Sequence, residues 1–122
     1  MQHSPRFLAI VDDAKTRTRE INGPDLLKKL EMDEAFHLID VRESEEYAAG
    51  RLPRARHICK GVLERDIEKA VPDPNAEIVL YCGGGYRSAL AADNLQKMGY
   101  PRVFSLAGGW REWSAREFPI EK

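Results

Sequence analysis

Ile78-Val79-Leu80-Tyr81-Cys82-Gly83-Gly84-Gly85-Tyr86-Arg87-Ser88 joins a continuous apolar run to three glycines and then to helix-forming residues. An apolar run with no polar alternation predicts a strand buried on both faces, the pattern of a parallel sheet covered by helices. A helix is expected from about Ser88 to Met98, stopped by Gly99 and Pro101. Cys82 then leaves the carboxyl end of a central strand, where open parallel sheets place their ligands. Glycine admits φ values closed to other residues, so the backbone N–H groups of Gly83, Gly84 and Gly85 can turn inward. The result is a nest of donors continuous with the positive end of a helix, suited to an anionic sulfur. Arg87 adds a permanent positive charge at the far end of the loop. A plainer reading makes Cys82 a buried residue before a packing turn, but three successive glycines are costly unless the backbone must approach something.

Outward from this stretch, short strand-like and helix-like segments alternate. Phe7, Ile10, Val11 and Ala14 recur at helical spacing after Ser4-Pro5 and predict an N-terminal helix. Thr18 to Ile21 reads as a short strand, and Pro24 as the first residue of a helix carrying Leu26, Leu27 and Leu30 on one face. His37 to Val41 reads as a buried strand. Ser44 is expected to cap a short helix with Glu45 and Glu46 in its first turn. Gly50 to Lys60 is irregular, with a short strand at His57-Ile58, and Leu63, Ile67, Ala70 and Val71 mark another helical face. Val103 to Leu106 is the last strand and Trp110 to Arg116 the last helix. Such alternation predicts an α/β fold, a parallel sheet with helices on both faces.

The 122 residues suit one domain with one real core. Charged residues at 32% and hydrophobic ones at 43% argue against a disordered chain. A net charge of −1 gives no global field for nucleic acid or anionic lipid. The run Phe7-Leu8-Ala9-Ile10-Val11 falls far short of the roughly 18 residues that span a bilayer, and Asp12-Asp13 follows it in place of a leader cleavage site. No nucleic-acid or membrane partner is therefore expected. Two cysteines do not make a disulfide scaffold, which points to the cytoplasm, where a thiol stays reduced.

Loop length narrows the chemistry. Phosphatase and arsenate-reductase loops place five residues between cysteine and arginine, but four lie between Cys82 and Arg87. The tighter cradle suits one extra sulfur atom on Cys82 rather than a phosphoryl group. The expected intermediate is a persulfide, formed when the thiolate takes a donor's outer sulfur and passes it to a nucleophile.

The Cys82–Arg87 loop after its apolar strand, Leu38-Ile39-Asp40-Val41-Arg42-Glu43, Gly50-Arg51-Leu52-Pro53 and Gly108-Gly109-Trp110 together resemble a single-domain rhodanese from about Arg19 to Phe118. The resemblance implies a three-layer α/β/α domain over residues 18–122, with a five-stranded parallel sheet and an extra helix in residues 1–17. It implies transfer of sulfane sulfur from thiosulfate, polysulfide or a persulfide to a thiophilic acceptor such as cyanide, without metal or organic cofactor. Cys82 would carry the sulfur, Gly83, Gly84, Gly85, Tyr86 and Arg87 would form the amide cradle, and Ser88 would cap the next helix. A protein sulfur donor or acceptor is a further partner of this kind. The alternatives are a sulfur-carrier or regulatory module without turnover, and a phosphatase or arsenate reductase.

The sequence departs from the family in three places. Gly83 stands where many thiosulfate-using members carry a basic or polar side chain. Arg54 replaces a glycine, so that turn is not expected to lean on a positive φ without strain. Cys59 is the third, near a strand end. The strand order the family implies puts the Asp40 strand between Cys59 and Cys82. The two thiols should then lie on the order of 10 Å apart, too far for a disulfide.

Asp40 and Arg42 mark the end of a neighbouring strand. They read either as an ion pair shaping the rim or, for Arg42, as a group that attracts anionic donors. Arg51, Arg54, Arg56, His57 and Lys60 read as a solvated connection or as replacement charge for Gly83. Trp110 and Trp113 read as packing residues. His3, His37 and Cys59 lack metal-ligand spacing with Cys82. The N-terminal helix is expected to pack on the domain through its apolar face or to form a dimer or partner surface.

Overall fold

A computed structural model describes residues 2–122. Strands β1 (Arg19–Ile21), β2 (His37–Asp40), β3 (Arg56–His57), β4 (Ile78–Tyr81) and β5 (Val103–Leu106) alternate with helices α1 (Pro5–Lys15), α2 (Gly23–Glu31), α3 (Ser44–Ala49), α4 (Lys60–Ala70), α5 (Tyr86–Lys97) and α6 (Gly109–Ala115). The strands form one sheet in the order β1-β5-β4-β2-β3, and every pair is parallel. This is the α/β architecture expected from the alternation.

β4 lies at the centre, with β2 on one side and β5 on the other, and all of its residues are buried. Successive strand side chains point to opposite faces. Ile78 and Leu80 accordingly pack with Ile39, Leu63, Ile67 and Leu95 under α4 and α5. Val79 and Tyr81 pack with Leu26, Leu38, Leu106 and Trp113 under α2 and α6. Cys82 continues the first set, which sends its sulfur toward the face covered by α5. The strand register has thereby aimed the thiol.

Local chemistry sets the ends of the helices. Asn22 caps α2, its side chain accepting the Asp25 N–H at 2.8 Å, so Pro24 is the second helical residue and not the first. Ser44 does not cap α3; Glu43 does, in a reciprocal box with Glu46, whose Oε1 accepts the Glu43 N–H at 3.0 Å. α5 starts two residues earlier than expected, because Gly85 at φ +96° serves as its N-cap. Ser88 lies inside the first turn of α5 instead of capping it. Arg54 does adopt a positive φ, +70°, the left-handed region in which a side chain carries the strain expected for this turn. Its guanidinium lies 3.3 Å from Asp33 Oδ1 and donates to the Glu34 carbonyl at 3.2 Å, which helps hold the turn.

The N-terminal helix packs on the domain. Val11 and Ala14 are buried, and Arg17 just beyond α1 forks onto the Asp93 carboxylate of α5 at 3.0 and 2.8 Å. Among the described residues no helix is long and apolar enough to cross a membrane.

Candidate active site

The sulfur of Cys82 sits at the floor of the loop, its residue 1% exposed. It accepts the backbone N–H of Gly85 at 3.2 Å and that of Ser88 at 3.3 Å. The thiol in turn donates to Ser88 Oγ at 3.5 Å, and Ser88 Oγ is bonded to Ser105 Oγ of β5 at 2.7 Å. Two amides, one from the N-cap and one from the first turn of α5, therefore converge on one sulfur.

The loop is held open from behind. The N–H of Trp110 donates to the Cys82 carbonyl at 2.8 Å and that of Arg111 to the Gly83 carbonyl at 2.9 Å. These bonds turn the loop carbonyls toward α6 and away from the sulfur. The approach is possible only at a residue without a side chain: a Cβ at Gly109, which has φ +54°, would lie 2.5 Å from the Cys82 carbonyl oxygen.

Two guanidiniums overlie the loop. A Cβ at Gly83 would lie 3.1 Å from Arg87 Nη2, and one at Gly84 would lie 3.0 Å from Arg111 Nη1. Arg87 is forked onto Glu46 at 2.9 and 3.2 Å. That bond is the chief reason the Glu46 carboxyl is held below, and the Arg87 guanidinium above, its ordinary value. A carboxyl depressed in the folded chain stays ionised until the pH falls through its lowered value, so acidification is what loosens this pair. In front of the sulfur lies a cavity of about 370 Å³. Gly83, Gly84, Tyr86, Arg87, Glu46 and Arg111 line it together with His3 and Phe7.

Of the residues weighed for the site, several lie away from the cavity. Arg42 does not line this cavity. It is 2% exposed, its Nη2 is 2.7 Å from Asp40 Oδ2, and it donates to the Gly50 carbonyl at 2.6 Å. Its guanidinium also stacks 4.7 Å from the Trp110 ring. Three of its five N–H groups are taken by Asp40 and the Gly50 carbonyl, so Arg42 and Asp40 shape the rim. The basic stretch is spent on local partners too. Arg51 lies over Tyr47, Arg54 near Asp33, Arg56 against the Ala70 carbonyl and His57 against the Arg42 carbonyl. Trp113 is buried edge-on to Phe118, as a packing residue. Cys59 precedes α4, and β2 stands between its strand and that of Cys82. Both cysteines are free.

Four residues that the sequence reading did not place at the site do line the cavity: His3, Phe7, Glu46 and Arg111. A signal existed for some of them. His3 and Phe7 share a helical spacing, and Gly108-Gly109 announces that the segment carrying Arg111 comes close to another backbone.

The rhodanese-like domain model matches residues 23–116, and the chain belongs to that family. It is 37% identical over 101 residues to "Putative sulfurtransferase YtwF" of Bacillus subtilis, an alignment covering 83% of this chain and 95% of that one. It is 33% identical over 97 residues to "Putative sulfur carrier protein YrkF" of the same organism, covering 80% of this chain but only 51% of YrkF. Among solved structures, that of RPA3614 from Rhodopseudomonas palustris superposes with a TM-score of 0.86 at 29% identity, covering 99% of this chain and 98% of the other. That protein is described as of unknown function and a possible tyrosine phosphatase. The polysulfide-sulfur transferase homodimer of Wolinella succinogenes superposes with a TM-score of 0.80 at 28% identity, covering 95% and 87%.

Proposed function

We propose that the chain is a rhodanese-type sulfurtransferase that carries sulfane sulfur as a persulfide on Cys82. The observation that carries this reading is the Cys82 sulfur receiving the Gly85 and Ser88 amides at the floor of an open, arginine-lined cavity. The named activities of the relatives, a sulfurtransferase, a sulfur carrier and a polysulfide-sulfur transferase, point the same way.

In the first step the Cys82 thiolate attacks the outer sulfur of a donor. A new S–S bond forms at Cys82, the donor's own bond to that sulfur breaks, and the leaving group departs with the electron pair. From thiosulfate the leaving group is sulfite. In the second step a thiol or cyanide attacks the outer sulfur and regenerates the thiolate. Both displacements balance without oxidant, reductant or cofactor. Amides that face the sulfur before reaction need no reorganisation as charge moves onto the transferred atom. The donor is a small sulfur anion or a persulfide, free or on a protein. A reducing compartment such as the cytoplasm would keep the thiol available.

Intact mass after incubation with thiosulfate or polysulfide tests the reading. The expected result is a gain of about 32 Da, one sulfur, on Cys82, removed by cyanide or a thiol with release of thiocyanate or a new persulfide. No adduct from any sulfane donor would overturn it, and an adduct that no acceptor removes would leave a carrier without turnover. Hydrolysis of an aryl phosphate that depends on Cys82 would favour the phosphatase instead.

Arg87 offers a second check. Its planar fork is fixed by Glu46 beside the loop, so Arg87→Ala should lower kcat/KM by about 10- to 100-fold, and Arg87→Lys should recover only part. Equal rates for Arg87→Lys and the wild type would reduce its role to that of a point charge.

A further inference from the structure

We infer that the cavity in front of Cys82 is a two-sided subsite for the donor's leaving group, and that the donor it selects is a monoanion with an apolar organic body, held between a wall contributed by the N-terminal segment and the guanidinium of Arg111. The inference rests on the persulfide reading. The Gly85 and Ser88 amides hold the Cys82 sulfur at the floor of the cavity, so a donor reaches that sulfur through the cavity and its leaving group lies there.

One side of that cavity is aromatic. The His3 ring lies 4.4 Å from Tyr86 and 5.3 Å from Phe7, and Phe7 lies 6.3 Å from Tyr86, centroid to centroid. All three are half-buried. Neither Phe7 nor Tyr86 belongs to either hydrophobic core. A loop side chain and an N-terminal segment thus build a surface that an apolar ligand would complete. Lys15 stacks 5.2 Å from the Tyr86 ring and fixes its orientation from α1.

The other side is cationic. Arg87 is neutralised by Glu46, whereas the Arg111 guanidinium has no carboxylate in bonding distance among the described residues. With Arg87 paired to Glu46, the Arg111 guanidinium is left for the anionic group of a donor. One such guanidinium facing an aromatic side suits a donor with a single anionic group on an apolar body. The volume of about 370 Å³ falls in the range of sites for small organic ligands and exceeds what an inorganic oxyanion fills. Arg111 also supplies the charge that Gly83 lacks, from a different helix. The chemistry is unchanged: Cys–S⁻ and R–SO₂–S⁻ give Cys–S–S⁻ and the sulfinate R–SO₂⁻, with the sulfinate leaving between Arg111 and the aromatic wall.

The experiment compares thiosulfate, methanethiosulfonate and benzenethiosulfonate as donors to the full chain, with cyanide as acceptor. The aryl donor should exceed the methyl donor in kcat/KM by about ten-fold, the scale of one aromatic contact. Phe7→Ala and His3→Ala should each reduce the aryl-to-methyl ratio by about three- to ten-fold, mainly through KM. His3 precedes the helix and lies outside the cores, so its variant keeps the test valid even where Phe7→Ala loosens α1. Arg111→Ala should raise KM for all three donors by about ten-fold, with partial recovery in Arg111→Lys. An aryl-to-methyl ratio untouched by both wall variants, or an Arg111→Ala enzyme with unchanged KM, would overturn the subsite while persulfide formation still stood. Absence of the Cys82 adduct from every donor would overturn the sulfur-transfer reading and the subsite with it.

Discussion

Cys82→Ser should abolish sulfur transfer, lowering kcat/KM by at least about 10⁴-fold, with the fold intact. The hydroxyl can replace the thiol at the same position, where it still meets the Gly85 and Ser88 amides and the Ser88 hydroxyl. It cannot replace the chemistry. At neutral pH the hydroxyl does not ionise, and oxygen does not hold a transferable sulfur atom. The variant should take up no sulfur by intact mass and should unfold within about 1 kcal/mol of the wild type, because the site is already polar. Residual transfer within about ten-fold of wild type would move the nucleophile elsewhere, and Cys59 is the other free thiol.

Asp40→Asn should destabilise the chain by about 3–5 kcal/mol without removing any residue that lines the Cys82 cavity. Asp40 is wholly buried and accepts from the Arg42 backbone N–H at 2.9 Å and from its guanidinium at 2.7 to 3.1 Å. Loss of the carboxylate charge strands the Arg42 cation where water cannot reach it. Against a typical total of about 5–15 kcal/mol, that is a large share. Urea unfolding measures it directly, and a double Asp40→Leu, Arg42→Met variant should recover much of the loss because no charge is then stranded. A loss under about 1 kcal/mol would show that water reaches the Arg42 guanidinium after all.

The two variants separate what the sequence marks from what it hides. Cys82 and its glycines are legible because they are contiguous: an apolar strand, a permissive turn and a helix start follow one another within a single loop. The parallel sheet is legible for the same reason, since strand and helix periodicities alternate along the chain. Helix caps were harder to read. Ser44 and Ser88 have the composition of caps, but Glu43 with its Glu46 partner and the left-handed Gly85 take those places. The choice turns on which residue holds extended or positive-φ backbone, and residue type settles that only weakly.

Arg42 and Arg111 show the remaining division. As residues of a sequence they are equivalent cations, each near a motif of the family. By itself the sequence determined the fold class and the place of the Cys82 loop at the end of a central strand, because periodicity and contiguous loop composition are local properties. Only the tertiary structure decided that Arg42 is consumed by Asp40 and the Gly50 carbonyl, while Arg111 stands over Gly84 at the mouth of the cavity. It also decided that His3 and Phe7 meet Tyr86, where the N-terminal segment packs against α5. A charge or a ring acquires its role from the groups that surround it, and those groups come from segments far apart in the chain.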